Sequence, residues 1–97
     1  MLTSKERATL RGMASKLDPV VQIGHKEVSD NMLLQIDGAL ETRELIKMSI
    51  LQNSDADAKI LAAEIAGVLE ADVVSVIGRK IVLYRKSKKK GVKHIEF

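Results

Sequence analysis

The 97-residue chain has no cysteine, one proline and two aromatic residues, Tyr84 and Phe97. The lack of cysteine excludes a disulfide framework, a thiolate metal site and a cysteine nucleophile. The apolar runs are too short to span a bilayer, and the first residues lack the apolar stretch of a secretory signal. We therefore expect one cytoplasmic domain whose core is mainly aliphatic.

Positive charge is concentrated near the end of the chain. Residues 79–97 carry eight basic side chains against one acidic side chain, whereas residues 1–78 carry eight basic and twelve acidic ones. Such polarisation favours a polyanionic partner, which could be nucleic acid or an acidic membrane surface. The membrane is the weaker alternative, because no amphipathic segment with bulky aromatic residues accompanies the lysines.

Apolar periodicity and turn residues predict seven elements in the order α-β-α-β-α-β-β. A capping box formed by Thr3 and Glu6 starts the first helix near Ser4, and Asp18-Pro19 stops it. The predicted strands cover residues 20–23, 45–51, 72–77 and 81–85; the second helix covers residues 30–42, and the third ends near residue 70. The first two strands should be parallel, and the last two should form a hairpin at Gly78. The fold class is therefore α/β, of the α+β two-layer type, with a four-stranded mixed sheet covered by helices.

The apolar pattern stops after Arg85. We predict a compact domain over residues 1–86 and a basic, solvated C-terminal tail over residues 87–97. Val92, Ile95 and Phe97 are exceptions in this tail, because each of them could still pair or pack against the domain.

The junction between the first strand and the second helix is a candidate phosphate contact. Gly24, His25 and Lys26 lie in this tight turn, and Ser29 is the predicted N-cap of the helix. Backbone N–H groups and the positive end of the helix dipole favour an anion there, and Lys26 adds a full charge. The alternative is an ordinary strand-to-helix turn.

Further basic residues extend this candidate surface. They lie on the first helix (Lys5, Arg7, Arg11), at the hairpin (Arg79, Lys80) and beyond it (Arg85, Lys86, Lys88, Lys89). Basic residues can also serve only as a solvated face, so this interpretation competes with nucleic-acid binding. Tyr84 fits half-buried packing better than base stacking, so binding should rest on the phosphate backbone and on shape.

The sequence gives little support to catalysis. It contains no GxxxxGK[ST], no HExxH and no nucleophile elbow, and His25 has no companion ligands for a metal. Asp55 and Asp57 fit helix capping. The acids of the second helix (Asp30, Asp37, Glu41, Glu44) have the spacing of its solvent face. We therefore predict no enzyme activity, no cofactor and no metal.

Several phrases in fixed order resemble the bacterial stand-alone CRM domain proteins, the YhbY-like family. They are P-V-V-Q-I-G at residues 19–24, V-S-D-N-M at 28–32, A-L-E-T-R-E-L-I-K at 39–47 and V-I-G-R-K-I-V-L-Y-R at 76–85. The resemblance implies an RNA-binding module similar in fold to the C-terminal domain of translation initiation factor 3. It also implies association with precursors of the large ribosomal subunit.

The loop after the first strand departs from the family pattern. Family members usually have Gly-x-x-Gly there, whereas this chain has Gly24-His25-Lys26-Glu27. Glu27 lacks the conformational freedom of glycine and places an anion near the phosphate position. The hairpin and the tail should therefore carry more of the affinity for RNA.

Two functions follow from these observations. The first is a monomeric RNA-binding factor in assembly of the large ribosomal subunit, with no membrane contact. The alternative is a basic protein-interaction adaptor without direct RNA recognition, for which the aliphatic pattern and Phe97 could supply a docking strand.

Overall fold

The computed structural model describes residues 2–24, 28–52, 54 and 56–97. The helices are α1 (Ser4–Ala14), α2 (Asp30–Arg43) and α3 (Ala58–Leu69), and the strands are β1 (Val21–Ile23), β2 (Leu45–Ile50), β3 (Asp72–Ile77) and β4 (Lys80–Tyr84). The predicted order of the seven elements is confirmed. Only α1 differs clearly from its predicted extent. It ends at Ala14, whereas the sequence predicted a helix that continues to Asp18-Pro19.

The four strands form one mixed sheet in the order β1-β2-β4-β3. β1 is parallel to β2, as predicted, and β4 is antiparallel to both β2 and β3. Gly78, with φ +58°, makes the turn between β3 and β4. The pairing of β3 with β4 shifts register between Val73 and Ser75, so Val74 forms a bulge.

Local side-chain caps begin each helix. Thr3 and Glu6 form the predicted capping box at the start of α1. The Ser29 hydroxyl accepts from the Met32 N–H, and Asp57 accepts at the start of α3. These bonds satisfy N–H groups that have no partner inside the helix.

Two apolar clusters cover opposite faces of the sheet. Ile36 of α2 and Ile65 of α3 belong to the larger cluster, which covers one face. Leu10 of α1 packs with Leu45 and Val82 on the other face. The α+β class and the mixed sheet are confirmed, but the two layers become three. The third layer follows from alternation along β2. Leu45 and its neighbour Ile46 point to opposite faces of the sheet, and since both are buried, helices must cover both faces.

Candidate functional site

Leu51, the residue after β2, joins two of the predicted contact regions. Its N–H donates to the Ile23 carbonyl at 2.9 Å, which places the end of β1 beside it. Its carbonyl accepts from Arg79 Nη1 at 2.9 Å, and the same nitrogen donates to the Ser54 carbonyl at 3.1 Å. The Gly24 end of β1 and the β3–β4 turn therefore lie at the same end of the sheet.

Gly24 fits closely against this junction. A Cβ atom at Gly24 would lie 3.2 Å from Leu51 Cδ1, which is tighter than ordinary van der Waals contact. A side chain at this position would require the Leu51 side chain, which is 40% exposed, to shift by a few tenths of an ångström. The other two predicted contacts in this loop, His25 and Lys26, lie outside the described residues, as does Glu27.

A groove on the α1 face of the sheet brings three cations together. Arg11 of α1, Lys47 of β2 and Lys80 of β4 all line it, and its volume is about 200 Å³. Lys80 Nζ donates to Ser49 Oγ at 3.0 Å, which holds the ammonium over β2. Within the described residues, no ion pair joins these three cations to a carboxylate. We call this feature the basic groove.

Lys47 is a groove residue that was absent from the predicted site. The sequence did indicate the orientation of Lys47, because Lys47 and Ser49 alternate with the buried Ile46, Met48 and Ile50. The pattern showed that Lys47 faces away from the larger cluster. It did not show that α1 and β4 bring two more cations to the same place.

The two other predicted cations of α1 differ from Arg11. Lys5 is exposed on the helix. Arg7 is half-buried, and its Nε donates to the Val73 carbonyl at 3.2 Å. Arg7 therefore attaches α1 to β3, and only Arg11 of these three residues lines the basic groove.

Arg85 binds other parts of the chain. Its guanidinium forms ion pairs with Asp37 at 2.8 Å and Glu41 at 3.1 Å. It also donates to the carbonyls of Leu69 and Asp37, at 3.0 and 3.2 Å. Since its side chain is 15% exposed, Arg85 joins β4 to α2 and α3. The geometry therefore gives it a structural role.

The remaining predicted cations lie after β4. Lys86, Lys88 and Lys89 are exposed, and Lys88 lines a cleft beside Arg85 and Glu70. Ser87 between them is buried, and its hydroxyl donates to the Glu41 carbonyl at 2.6 Å. The segment is thus bonded to α2 immediately beyond the predicted boundary at residue 86.

Glu44 holds the C-terminal segment against the domain. Its carboxylate accepts from the N–H groups of Ser87 and Ile95, at 2.6 and 2.8 Å, and lies 2.6 Å from His94 Nδ1. Glu44 is 0% exposed, so the interpretation of this residue as part of a solvent face was wrong. Three donors replace the water that the carboxylate loses.

These contacts also set the protonation of Glu44. Burial alone would raise the pKa of this carboxyl group, but the Ser87 N–H, the His94 ring and the Ile95 N–H together outweigh burial. The pKa of Glu44 is therefore lowered from its ordinary value, and the group stays ionised. An ionised carboxylate only accepts hydrogen bonds, so His94 Nδ1 carries the hydrogen between them.

The final residues pack against the smaller cluster. Ile95 contacts it, and the ring of Phe97 lies perpendicular to that of Tyr84 with centroids 5.1 Å apart. The sequence left open whether Ile95 and Phe97 pack against the domain, and the structure shows that both do. Tyr84 is 7% exposed, so its ring faces the protein interior. Burial raises the pKa of its hydroxyl, to which the nearby Glu44, Asp72 and Glu6 carboxylates add.

The described surface is suited to binding an anion. The basic groove combines three cations with serine hydroxyls, which are the groups that contact phosphates in proteins. Among the described residues, no three His, Asp or Glu side chains are grouped so that they could hold a metal ion. In the same part of the chain, no helix is long and apolar enough to cross a membrane.

Residues 2–85 match the family model of the CRS1 / YhbY (CRM) domain. The chain therefore belongs to the CRM domain family. It is 46% identical over 88 residues to the probable RNA-binding protein YqeI of Bacillus subtilis, covering 91% of this chain and 92% of that protein. It is 33% identical over 86 residues to an RNA-binding protein of Haemophilus influenzae, covering 89% and 87% of the two chains.

A solved structure is also similar throughout. The solution structure of the hypothetical protein SAV1595 from Staphylococcus aureus matches with a TM-score of 0.79 and 43% sequence identity. The match covers 98% of this chain and 100% of that one. This solved structure thus shares the fold of nearly the whole chain and not only one motif.

Proposed function

We propose that this chain binds RNA through phosphate-backbone and shape contacts, and that it acts on the RNA of large-subunit ribosomal precursors in the cytoplasm. The observation that carries the proposal is the convergence of Arg11, Lys47 and Lys80 on one groove without a carboxylate partner among the described residues. Clustered cations release the counterions that surround a polyanion, and this release drives binding.

The neighbouring elements extend this surface. Ile23, at the end of β1 beside Gly24, and Arg79 of the hairpin turn both bond Leu51, which supports contact of Gly24 and the hairpin with the same RNA. Arg85 is paired with Asp37 and Glu41, so it positions elements of the fold. Arg7 and Arg79 are bonded to neutral carbonyls, which leave their positive charge available to RNA. The proposed contact residues are therefore Lys5, Arg7, Arg11, Gly24, His25, Lys26, Lys47, Arg79, Lys80, Lys86, Lys88 and Lys89.

The buried Tyr84 supports contacts to the backbone in preference to stacked bases. Its ring packs against Phe97 and is unavailable as a stacking platform. Binding modules that read base sequence in single strands rely on such platforms. We therefore propose a binding role without catalysis, with modest sequence preference.

The role in ribosome assembly rests on the family. The sequence resembles the bacterial stand-alone CRM proteins, and the relatives in Bacillus and Haemophilus are named as RNA-binding proteins. Large-subunit precursor RNA is the partner that this resemblance implies. The chain is proposed to dock on it as a monomer.

Titration of a fluorescent large-subunit ribosomal RNA fragment at several salt concentrations tests RNA binding. Lys47→Glu and Lys80→Glu should each weaken binding and reduce the steepness of the log–log salt dependence by about 1. Lys93→Glu is the matched control, because Lys93 is exposed and is not among the residues that line the groove. Equal loss in all three variants would show that binding depends on net charge and not on the groove, whereas the absence of salt-dependent binding would favour the adaptor alternative.

Sedimentation of a cell lysate at low and high salt tests the assembly role separately. The protein should travel with large-subunit precursors at low salt and leave them at high salt. If it binds ribosomal RNA in the titration but never travels with these precursors, RNA binding stands and the assembly role is wrong.

A further inference from the structure

We propose that the basic groove receives one unpaired nucleotide of the RNA, with the base on its apolar floor and the phosphate on its cations. This inference rests on the proposed RNA binding and adds a specific ligand, an unstacked base. It predicts that the chain prefers RNA with an unpaired nucleotide over fully paired RNA, a preference that phosphate contacts alone would not give.

The register of the sheet builds the groove from two adjacent cross-strand rows. Ser49, Lys80 and Ile77 lie opposite one another in the first row. Lys47, Val82 and Ser75 form the second row. Each row therefore contributes one cation, one apolar side chain and one hydroxyl to the same face.

α1 closes one side of these rows. Arg11 and Ala14 of α1, with Ser15 directly after the helix, line the groove together with the strands. Ala14 and Val82 lie at the bottom of the groove and are 1% and 4% exposed, so Ile77, which is 65% exposed beside the hairpin turn, supplies most of the apolar surface open to a ligand. The result is an apolar floor surrounded by cations.

The groove has the size for a single planar group. Its volume of about 200 Å³ is below the roughly 300–1,000 Å³ of ordinary small-molecule pockets. The apolar floor suits the face of a base, and a guanidinium such as that of Arg11 can stack on a base as an aromatic ring does. The hydroxyl of Ser75 can bond the polar rim of the base.

Only an unpaired base can use this floor. In a duplex, both faces of each base are covered by stacked neighbours, whereas bases in loops and bulges can be splayed out. Phosphates are present on any RNA, so Lys47 and Lys80 would bind paired RNA as well. The floor therefore distinguishes RNA forms, and the cations supply general affinity.

Two RNA hairpins that differ by one inserted uridine test this inference: one has a fully paired stem, and the other carries the uridine as a bulge in the same stem. The wild-type chain should bind the bulged hairpin about fivefold more tightly, somewhat less than the gain from stacking on an aromatic residue. Ser75→Phe fills the groove without changing charge. It should abolish this preference, so that the variant binds the two hairpins with equal affinity.

A second pair of variants keeps the test valid if Ser75→Phe fails to fold. Ile77→Ala shortens an exposed side chain of the groove and should reduce the preference by about half of its wild-type value, because part of the buried apolar area is lost. Ile60→Ala is the matched control, since Ile60 is also 65% exposed but lies on α3 at the other face. It should leave the preference unchanged.

The outcomes separate this inference from the proposed function. Equal binding of both hairpins by the wild-type chain would overturn the unpaired-base site and leave RNA binding intact. A preference that survives both groove variants would also overturn it. Failure to bind either hairpin at low salt would overturn the proposed function together with this inference.

Discussion

Arg79 Nη1 donates to the main-chain carbonyl of Leu51 at 2.9 Å, across 28 residues of sequence. The same carbonyl accepts from the Ser54 N–H, and the Leu51 N–H donates to Ile23. One residue thus connects β1, the β2–α3 loop and the hairpin turn. The relative position of the two loops in the proposed RNA surface depends on this connection.

Arg79→Ala should loosen that connection locally. Loss of the bonds to Leu51 and Ser54 should lower the local opening free energy by about 1 kcal/mol, because exposed carbonyls can bond water instead. Amide hydrogen exchange at Leu51 and Ser54 measures this change. Lys80→Ala is the control, since the Lys80 side chain bonds only the Ser49 hydroxyl among the described residues. Unchanged exchange in Arg79→Ala would show that the loops hold their positions without it.

Glu44→Gln should destabilise the whole domain. Glu44 and Glu70 each follow a helix at positive φ, 65° and 55°, but Glu44 is buried and Glu70 exposed. Replacing the Glu44 carboxylate leaves N–H groups facing an amide that cannot accept from all of them, at a cost of about 3 kcal/mol. Glu70→Gln shares the backbone conformation and should change the stability by less than about 0.5 kcal/mol. Urea unfolding compares the two, and equal effects would contradict the role of the buried carboxylate.

Acid should weaken the domain through the same carboxylate. The fold lowers the pKa of Glu44 from its ordinary value of 4.5, so the unfolded chain binds this proton more readily. Its contribution to the free energy of unfolding is therefore complete above pH 4.5 and is lost as the pH falls through the lowered value. The wild-type stability should fall more steeply than that of Glu44→Gln in this range. If the free energy of unfolding fell equally with pH in both proteins, the pKa of Glu44 would not be lowered in the folded state.

Arg85 and Lys86 are adjacent basic residues with opposite expected behaviour. Arg85→Ala removes a guanidinium bonded to Asp37, Glu41 and Leu69, and should lower the free energy of unfolding by about 2–3 kcal/mol. Lys86→Ala changes an exposed residue and should have an effect within about 0.5 kcal/mol. Thermal unfolding of both variants measures the difference. A stable Arg85→Ala domain with reduced RNA affinity would instead assign Arg85 to RNA contact.

Local signals were sufficient to predict the elements of this fold. The capping residues Thr3 and Ser29 act on N–H groups three residues away, so sequence spacing alone identifies them. Alternation along β2 also predicted which side chains face the larger cluster. The third layer was not predicted, because the faces of β2 are both apolar at its start, and no local pattern says which helix covers which face.

The partners of charged side chains could not be predicted in the same way. Glu44 bonds residues 43 to 51 positions away, and Arg85 bonds Asp37 and Glu41 at similar separations. In the sequence, nothing distinguishes Glu44 from the acidic residues of α2 that precede it, or Arg85 from the basic residues that follow it. Only tertiary placement separates these structural charges from Lys47 and Lys80, which line the groove.

The bulge at Val74 and the bond from Arg7 to Val73 have a consequence for self-association. β3 lies at an edge of the sheet, where a strand of a second copy could add by main-chain pairing. The bulge bends this edge, and the Arg7 guanidinium occupies one of its carbonyls. At this edge a second copy therefore meets an irregular, partly occupied template, which disfavours the addition of a strand to β3.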